Sequence, residues 1–300
     1  MEGDLREING IQVKKLNDGF AIVRKMNSMW GCKAHEAYPG PQPVSIERRH
    51  FKHLKESEYV VGVKNDGERY CLGSLMYKDK PIVFLMNRNG EIFLISAKLS
   101  KVAYEGCIFD CELVGKKLYI FDCVLFGGKA VNTNSFKERL ANVDLFLKTI
   151  KRLPEEVEVI KKEFVKFGEM KNIVSEDQTD VDGYIFMPVK PPVQISTHNT
   201  MFKWKPRYMN TIDFCVNKNK VFLQNGGKLA EKRQKVHLYE LENEIISENT
   251  IVECEYIKDK EWKAIKVRKD KTLPNSVYTF TRTMINIEED IQVSEFINML

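Results

Sequence analysis

No apolar run in these 300 residues approaches the ~20 needed to cross a bilayer as a helix; the strongest, Leu118 to Phe121, is broken at once by Asp122. The amino terminus, MEGDLREING, carries acids where a secretory signal carries bases, and no apolar stretch follows. The expectation is an intracellular chain without membrane association. Cysteine is sparse and unpatterned: seven residues, at Cys32, Cys71, Cys107, Cys111, Cys123, Cys215 and Cys254, with no CxxC and no Cys/His cluster. An odd, scattered set excludes a disulfide framework and leaves a structural zinc site unsupported. The five histidines include His50 and His53, three apart, without the neighbouring carboxylate of a metal-site pattern. Internal repeats and low-complexity segments are absent. Charge of one sign is also lacking, since 47 Lys/Arg against 42 Asp/Glu leave only +5, too little by itself to establish nucleic-acid binding.

What the sequence does hold is 43% hydrophobic residues, enough for a substantial core, over a length suited to two domains. Basic residues concentrate late. From residue 201 to 240 there are nine Lys/Arg against three acids, and from 258 to 271 seven against three. Either run alone is a solvated face; together they offer surface for phosphate.

The segment YPGPQPVSIERRHFKHLK turns through four Pro/Gly positions, and Ser45 is expected to cap a short helix with Ile46, His50 and Leu54 on one stripe. YVVGVKN, ERYCLGSLM, PIVFLMN and EIFLIS then read as strands of one antiparallel sheet, with Asn89-Gly90 a hairpin turn. CIFDCELV and LYIFDCVLF form a second hairpin across Gly115-Lys116-Lys117. Ser135 to Glu138 is a capping box opening a helix with Leu140, Val143, Leu147 and Ile150 at helical spacing, stopped by Pro154. Past the prolines at 188, 191 and 192 comes TMFKWKP. Beyond it TIDFCV, KVFLQN, KVHLYEL, TIVECEYI and EWKAIKVR give five strands, the count of a small oligonucleotide-binding (OB) barrel. VSEFINML reads as a terminal helix.

Charged residues inside apolar strands are costly unless paired or liganded. Glu112 in CIFDCELV and Lys203 with Lys205 in TMFKWKP are such residues. A period of two puts Asp110 and Glu112 on one face, and Lys203 and Lys205 on one face of theirs, so that two acids and two bases entering one cleft would make a site for metal and phosphate. A structural ion-pair network is the competing reading of any one pair. The ordered set runs Lys64-Asn65-Asp66-Gly67-Glu68-Arg69, Arg88, Asp110-Cys111-Glu112, Asp182-Gly183, Lys203-Trp204-Lys205-Pro206, and Arg268-Lys269-Asp270-Lys271.

This set resembles the covalent nucleotidyltransferase superfamily of mRNA capping guanylyltransferases and ATP-dependent ligases. PGPQPVS ahead of KNDGER is similar to the capping branch, and the compact length most resembles the capping enzymes of chlorella viruses. Cys111 stands where the family usually has Gly. The resemblance implies an α+β nucleotidyltransferase domain built on antiparallel sheets with helices, over residues 1–208 and joined by a helix at 290–300, followed by a five-stranded OB-fold domain at 209–289. It implies that Lys64 attacks GTP to form a lysyl-GMP, passed on to the 5′-diphosphate end of RNA. Arg69, Arg88 and Glu112 would hold ribose and phosphate, Phe121 would stack on guanine, and Lys162 would donate to its O6. Lys203 and Lys205 would neutralise the phosphates, Arg268, Asp270 and Lys271 would engage the leaving pyrophosphate, and Asp182 would serve a divalent cation, Mg2+ or Mn2+, or orient the nucleophile. Separate proteins would supply an RNA triphosphatase and a cap methyltransferase, and the small size favours a large DNA virus acting in a host cell. The alternatives are an ATP-dependent RNA or DNA ligase with a lysyl-AMP intermediate, and an inactive RNA-binding scaffold.

Overall fold

The computed structural model describes residues 1–33, 38–155, 157–174, 182–218, 220–238, 241, 246–269 and 271–299. The chain forms two compact units, Met1–Val44 with Glu56–Phe202, and Ser45–Lys55 with Lys203–Leu300. The division therefore falls at Phe202, ahead of the expected 208.

In the first unit a nine-stranded sheet has the order β1 (Gly3–Ile8), β2 (Ile11–Leu16), β7 (Ile92–Leu94), β6 (Lys80–Met86), β5 (Glu68–Tyr77), β9 (Cys107–Val114), β10 (Lys117–Phe126) and β11 (Lys129–Ala130), while β13 (Glu158–Lys161) pairs in parallel with β10. Val83 and Leu85 of β6 enter one apolar cluster, and Ile82, Phe84 and Met86 the other, as a period of two requires. Helix α1 (Phe20–Met29) seats Ile22, Val23 and Met26 in one cluster, and α3 (Phe136–Leu147) seats Val143 and Phe146 in the other. With both faces covered, the strands become nearly continuous apolar runs.

A second, five-stranded sheet has the order β14 (Val165–Lys166), β4 (Tyr59–Val63), β15 (Tyr184–Pro188), β16 (Thr197–Trp204) and β3 (Gln42–Ser45). This corrects the expectation of one antiparallel sheet: β4 belongs to the second sheet and β5 to the first, so the chain changes sheets across residues 64–67. A short pair, β8 (Lys98–Leu99) with β12 (Ile150–Arg152), takes up Ile150, so α3 ends at Leu147, earlier than its apolar spacing suggested. Its capping box is formed, with Ser135 N donating to Glu138 Oε2 at 2.9 Å. Ser45 closes β3 and caps nothing. Glu47 instead makes the capping box with His50 ahead of α2 (Phe51–Glu56).

The second unit holds a six-stranded sheet ordered β19 (Lys228–Lys232), β18 (Lys220–Asn225), β17 (Thr211–Asn217), β21 (Thr250–Lys258), β22 (Glu261–Val267) and β20 (Lys235–His237). Five strands were expected; β19, with the sequence KLAEK, escaped because it lacks apolar alternation and is recruited by pairing with β18. Ile212, Phe214, Leu223, Val252, Trp262 and Ala264 make the core, against which α4 (Val277–Glu289) packs Ile287, Phe280 and Met284. The C-terminal residues, expected beside the first domain, group with the second unit by their contacts. Trp204 Nε1 donates to Ile291 O at 2.8 Å, and Phe296 of α5 (Val293–Ile297) meets Phe51 edge-on at 5.6 Å. Among the described residues no helix is long and apolar enough to cross a membrane, and all seven cysteines are buried free thiols.

Arg139 of α3 donates from Nε and Nη2 to the two oxygens of Asp122 at 2.8 and 3.0 Å, both side chains being almost fully buried. Removing one member strands a charge. Arg139→Met is expected to cost about 3–5 kcal/mol in denaturant unfolding, with Asp122→Asn in the same chain recovering part of it. A loss below 1 kcal/mol would mean that Asp122 finds solvent on its own.

Candidate active site

Lys64 follows β4 directly. Val63 lies opposite Tyr184 in the β4–β15 pairing, and Lys64 N donates to Gly183 O at 2.8 Å, which brings Asp182 alongside. The Lys64 ammonium forms an ion pair with the Asp182 carboxylate and lies 3.4 Å from Asn65 O. Asp182 is nearly buried and Lys64 only partly exposed. The loop then presses against β9: a Cβ on Gly67 would lie 2.6 Å from Leu113 O and 2.8 Å from Glu112 Cγ, so only glycine lets the chain pass there.

Strand β5 lies beside β9 with Arg69 opposite Glu112 and Cys71 opposite Asp110. Arg69 reaches diagonally to Asp110, donating from Nε to Oδ1 at 2.7 Å and from Nη2 to Oδ2. Asp110 has no exposure, and burial pushes its carboxyl upward while Arg69 draws it back. Asp110 and Glu112 thus share a face, but Asp110 is spent on Arg69 and only Glu112 faces a second cation. That cation is Lys162, whose ammonium lies 3.8 Å from Glu112. Lys162 follows β13, and its N–H donates to Ile120 O at 2.8 Å, which fixes it beside β10. Cys111, between the two acids, sits in regular strand and donates its thiol to Tyr70 O at 3.2 Å.

Phe121 occupies a β-bulge: Ile120 pairs with Cys111 and Asp122 with Asp110, leaving Phe121 without an opposite residue. Its ring is half-buried, with the Arg69 guanidinium and the Lys162 ammonium each 5.8 Å from the centroid. An aromatic face flanked by two cations, an acid and a reactive amine suits a planar anionic ligand such as a nucleotide. Arg88 is exposed in the turn between β6 and β7.

Lys203 and Lys205 stand in the second unit at the end of β16, partly buried, on either side of the buried Trp204. Arg268 Nη1 donates to Asp213 Oδ1 at 3.0 Å and to Glu253 Oε2 at 3.4 Å, and the Lys271 ammonium pairs with the same Asp213. Asp270 lies outside the described residues. Asp213 was missed by sequence reasoning, although an acid in the apolar strand TIDFCV is the same signal that singled out Glu112. Among the described residues no group of three metal-ligating side chains forms a cage. Asp182, one buried carboxylate beside the amine, fits instead the way magnesium is held by one or two carboxylates together with substrate phosphates.

Burial, reinforced by the nearby charge of Lys64, pushes the Lys162 ammonium down to about 8, with Glu112 opposing. A lowered lysine destabilises the fold while it is charged in both states, and the penalty fades as pH rises from about 8 toward the ordinary 10.5. The wild-type chain should therefore gain up to about 3 kcal/mol across that window relative to Lys162→Met, read from denaturant titrations at a series of pH values. Parallel profiles would refute the shift.

The sequence matches the family described as mRNA capping enzyme, catalytic domain, over residues 4–207, and that described as mRNA capping enzyme, C-terminal domain, over residues 194–297. It is 24% identical to the mRNA-capping enzyme subunit alpha of Schizosaccharomyces pombe, covering 99% of this chain and 88% of that one. It is 26% identical to the mRNA-capping enzyme of Caenorhabditis elegans and 24% identical to that of Danio rerio, covering 89% and 85% of this chain. It spans about half the length of these two relatives, 50% and 48%. With its catalytic residues carried on a match of that extent, the chain belongs to the mRNA capping enzyme family, as a catalytic domain followed by the family's C-terminal domain.

Proposed function

We propose that this protein is an mRNA guanylyltransferase in which Lys64 forms and then discharges a covalent GMP. The observation that carries the reading is the Lys64 amine on a rigid sheet edge, in contact with a buried carboxylate and beside a cation-flanked aromatic ring. In the first step Nζ bonds to the α-phosphorus of GTP, and the bond to the β-phosphate oxygen breaks. Pyrophosphate leaves with the electron pair, and the proton lost from nitrogen passes to Asp182 or water. In the second, a terminal oxygen of the 5′-diphosphate RNA end attacks the same phosphorus, and Lys64 leaves, yielding GpppN.

A free lysine with a pKa near 10.4 is neutral in roughly one molecule in 2,500 at pH 7, so surrounding charge must favour the amine. Lys162 beside the site contributes to that, as would Lys203 and Lys205 once they meet phosphate. Phe121 stacks on guanine and Lys162 donates to O6; Arg69, Arg88 and Glu112 hold ribose and phosphate. A divalent cation, magnesium or manganese, supplies neutralising charge at the phosphates when bound, with Asp182 as the carboxylate that would hold it. Because the acceptor is a diphosphate end, a phosphohydrolase must act before this reaction, and a methyltransferase acts on its product.

Incubation with α-labelled GTP or ATP is expected to give acid-stable label from GTP alone; label from ATP alone would make the protein a ligase. Lys64→Arg and Lys64→Ala should lose the adduct entirely, because neither an always-charged guanidinium nor a methyl attacks phosphorus. Adduct surviving on another lysine of the arginine variant would displace Lys64 from this role. Arg268→Ala should slow adduct formation severely while preformed adduct still transfers GMP to RNA, since only the first step has pyrophosphate to orient. Single-turnover measurement of each half-reaction decides, and equal impairment of both would refute that role.

A further inference from the structure

Next to Arg69 the first unit has a pocket of about 100 Å3, whose lining includes Tyr38, Gly40, Gln42, Arg69 and Arg88 and no carboxylate. Tyr38 Oη is buried and has no hydrogen-bond partner among the described residues. An unpaired buried hydroxyl costs folding free energy, and one that persists in the unliganded chain calls for a partner that arrives with a ligand.

The surroundings indicate what that ligand is. A Cβ on Gly40 would fall 2.2 Å from Tyr38 Cε1 and 2.8 Å from Arg69 Nη2, so the glycine is what lets the phenol and the guanidinium flank one space. The Tyr38 ring is braced by Trp30, with centroids 6.0 Å apart. Burial first, and the charge of Asp110 second, push the phenol well above its ordinary value, so it stays protonated and can donate. Asp110 occupies Nε and Nη2 of Arg69 on one edge, leaving the Nη1 amino group for the other. Arg88 is carried on a fixed turn, in which Asn87 Oδ1 accepts from Asn89 N and Glu91 N at 3.0 Å each. Two guanidinium groups and a phenol around so small a volume suit a tetrahedral oxyanion and are too cramped for a nucleobase.

We infer that this pocket is a phosphoryl subsite in which the Tyr38 hydroxyl donates to an oxygen that Arg69 and Arg88 neutralise. The inference rests on the guanylyltransferase reading for the two possible sources of the phosphoryl group, a phosphate of GTP or the 5′-diphosphate end of RNA.

Tyr38→Phe in the full chain tests it. The variant should melt at the same temperature as wild type or higher, because it loses an unpaired hydroxyl, and should bind inorganic pyrophosphate about tenfold more weakly by calorimetry. Single-turnover measurements then identify the source. A loss of about tenfold in adduct formation at subsaturating GTP assigns the pocket to GTP; the same loss confined to transfer from preformed adduct assigns it to the RNA end. Unchanged pyrophosphate binding with both half-reactions intact would mean that the hydroxyl meets only water, and the subsite would be refuted. A large drop in melting temperature would refute it as well, by making Tyr38 a structural residue. Wild-type protein that forms no adduct with GTP would overturn the guanylyltransferase reading, while the pyrophosphate titration still decides the subsite.

Discussion

A carboxylate with no solvent exposure must be matched by a cation, and in this protein the match between Asp110 and Arg69 organises everything around the nucleophile. The diagonal bidentate contact fixes the plane of the guanidinium, so that one edge is consumed and the opposite edge faces outward. It also releases Glu112, which stands directly opposite Arg69 in the strand register but pairs with Lys162. Phe121 then finds a cation on each side of its ring. Replacing the pair by apolar residues would preserve the sheet and remove the framework on which the ligand-facing groups are hung.

The second constraint is the passage of the chain from one sheet to the other. Lys64 is the first residue after β4 and Arg69 the second of β5, and these strands belong to different sheets. The amine is therefore held by a backbone hydrogen bond to Gly183 in one sheet while the residues expected to receive the nucleotide grow from the other. Placing a nucleophile at such a corner gives it a fixed backbone and a side chain free of both cores, which is what repeated formation and breakage of an Nζ–P bond requires.

The second unit shows the same electrostatic economy on a smaller scale. Asp213, nearly buried on β17, carries Arg268 and Lys271 together, and Thr211 Oγ1 donates to Glu253 Oε1 at 2.8 Å beside them. Two cations of one short basic stretch are thus held to one strand face. Folding of this unit and the presentation of those cations are coupled through a single aspartate.

Much of this was legible in the residues themselves. The α+β class, the β9–β10 hairpin, the Asn89-Gly90 turn and the Ser135 capping box follow from period-two alternation and turn chemistry, which act over a few residues. The chemistry-bearing residues could also be named, because a lysine or glutamate in an apolar strand identifies itself by its cost. Helix α1 escaped because Gly19 at its N-cap gives no side-chain signal, and β19 because its partner, not its own pattern, makes it a strand. The sheet to which β4 belongs, the choice of Arg69 as partner for Asp110 across 41 positions, the bulge that exposes Phe121, and the gathering of Arg268 and Lys271 on Asp213 were decided only by the tertiary structure. Each depends on the register between strands distant in sequence, and register is a property of the pairing, which no single strand contains.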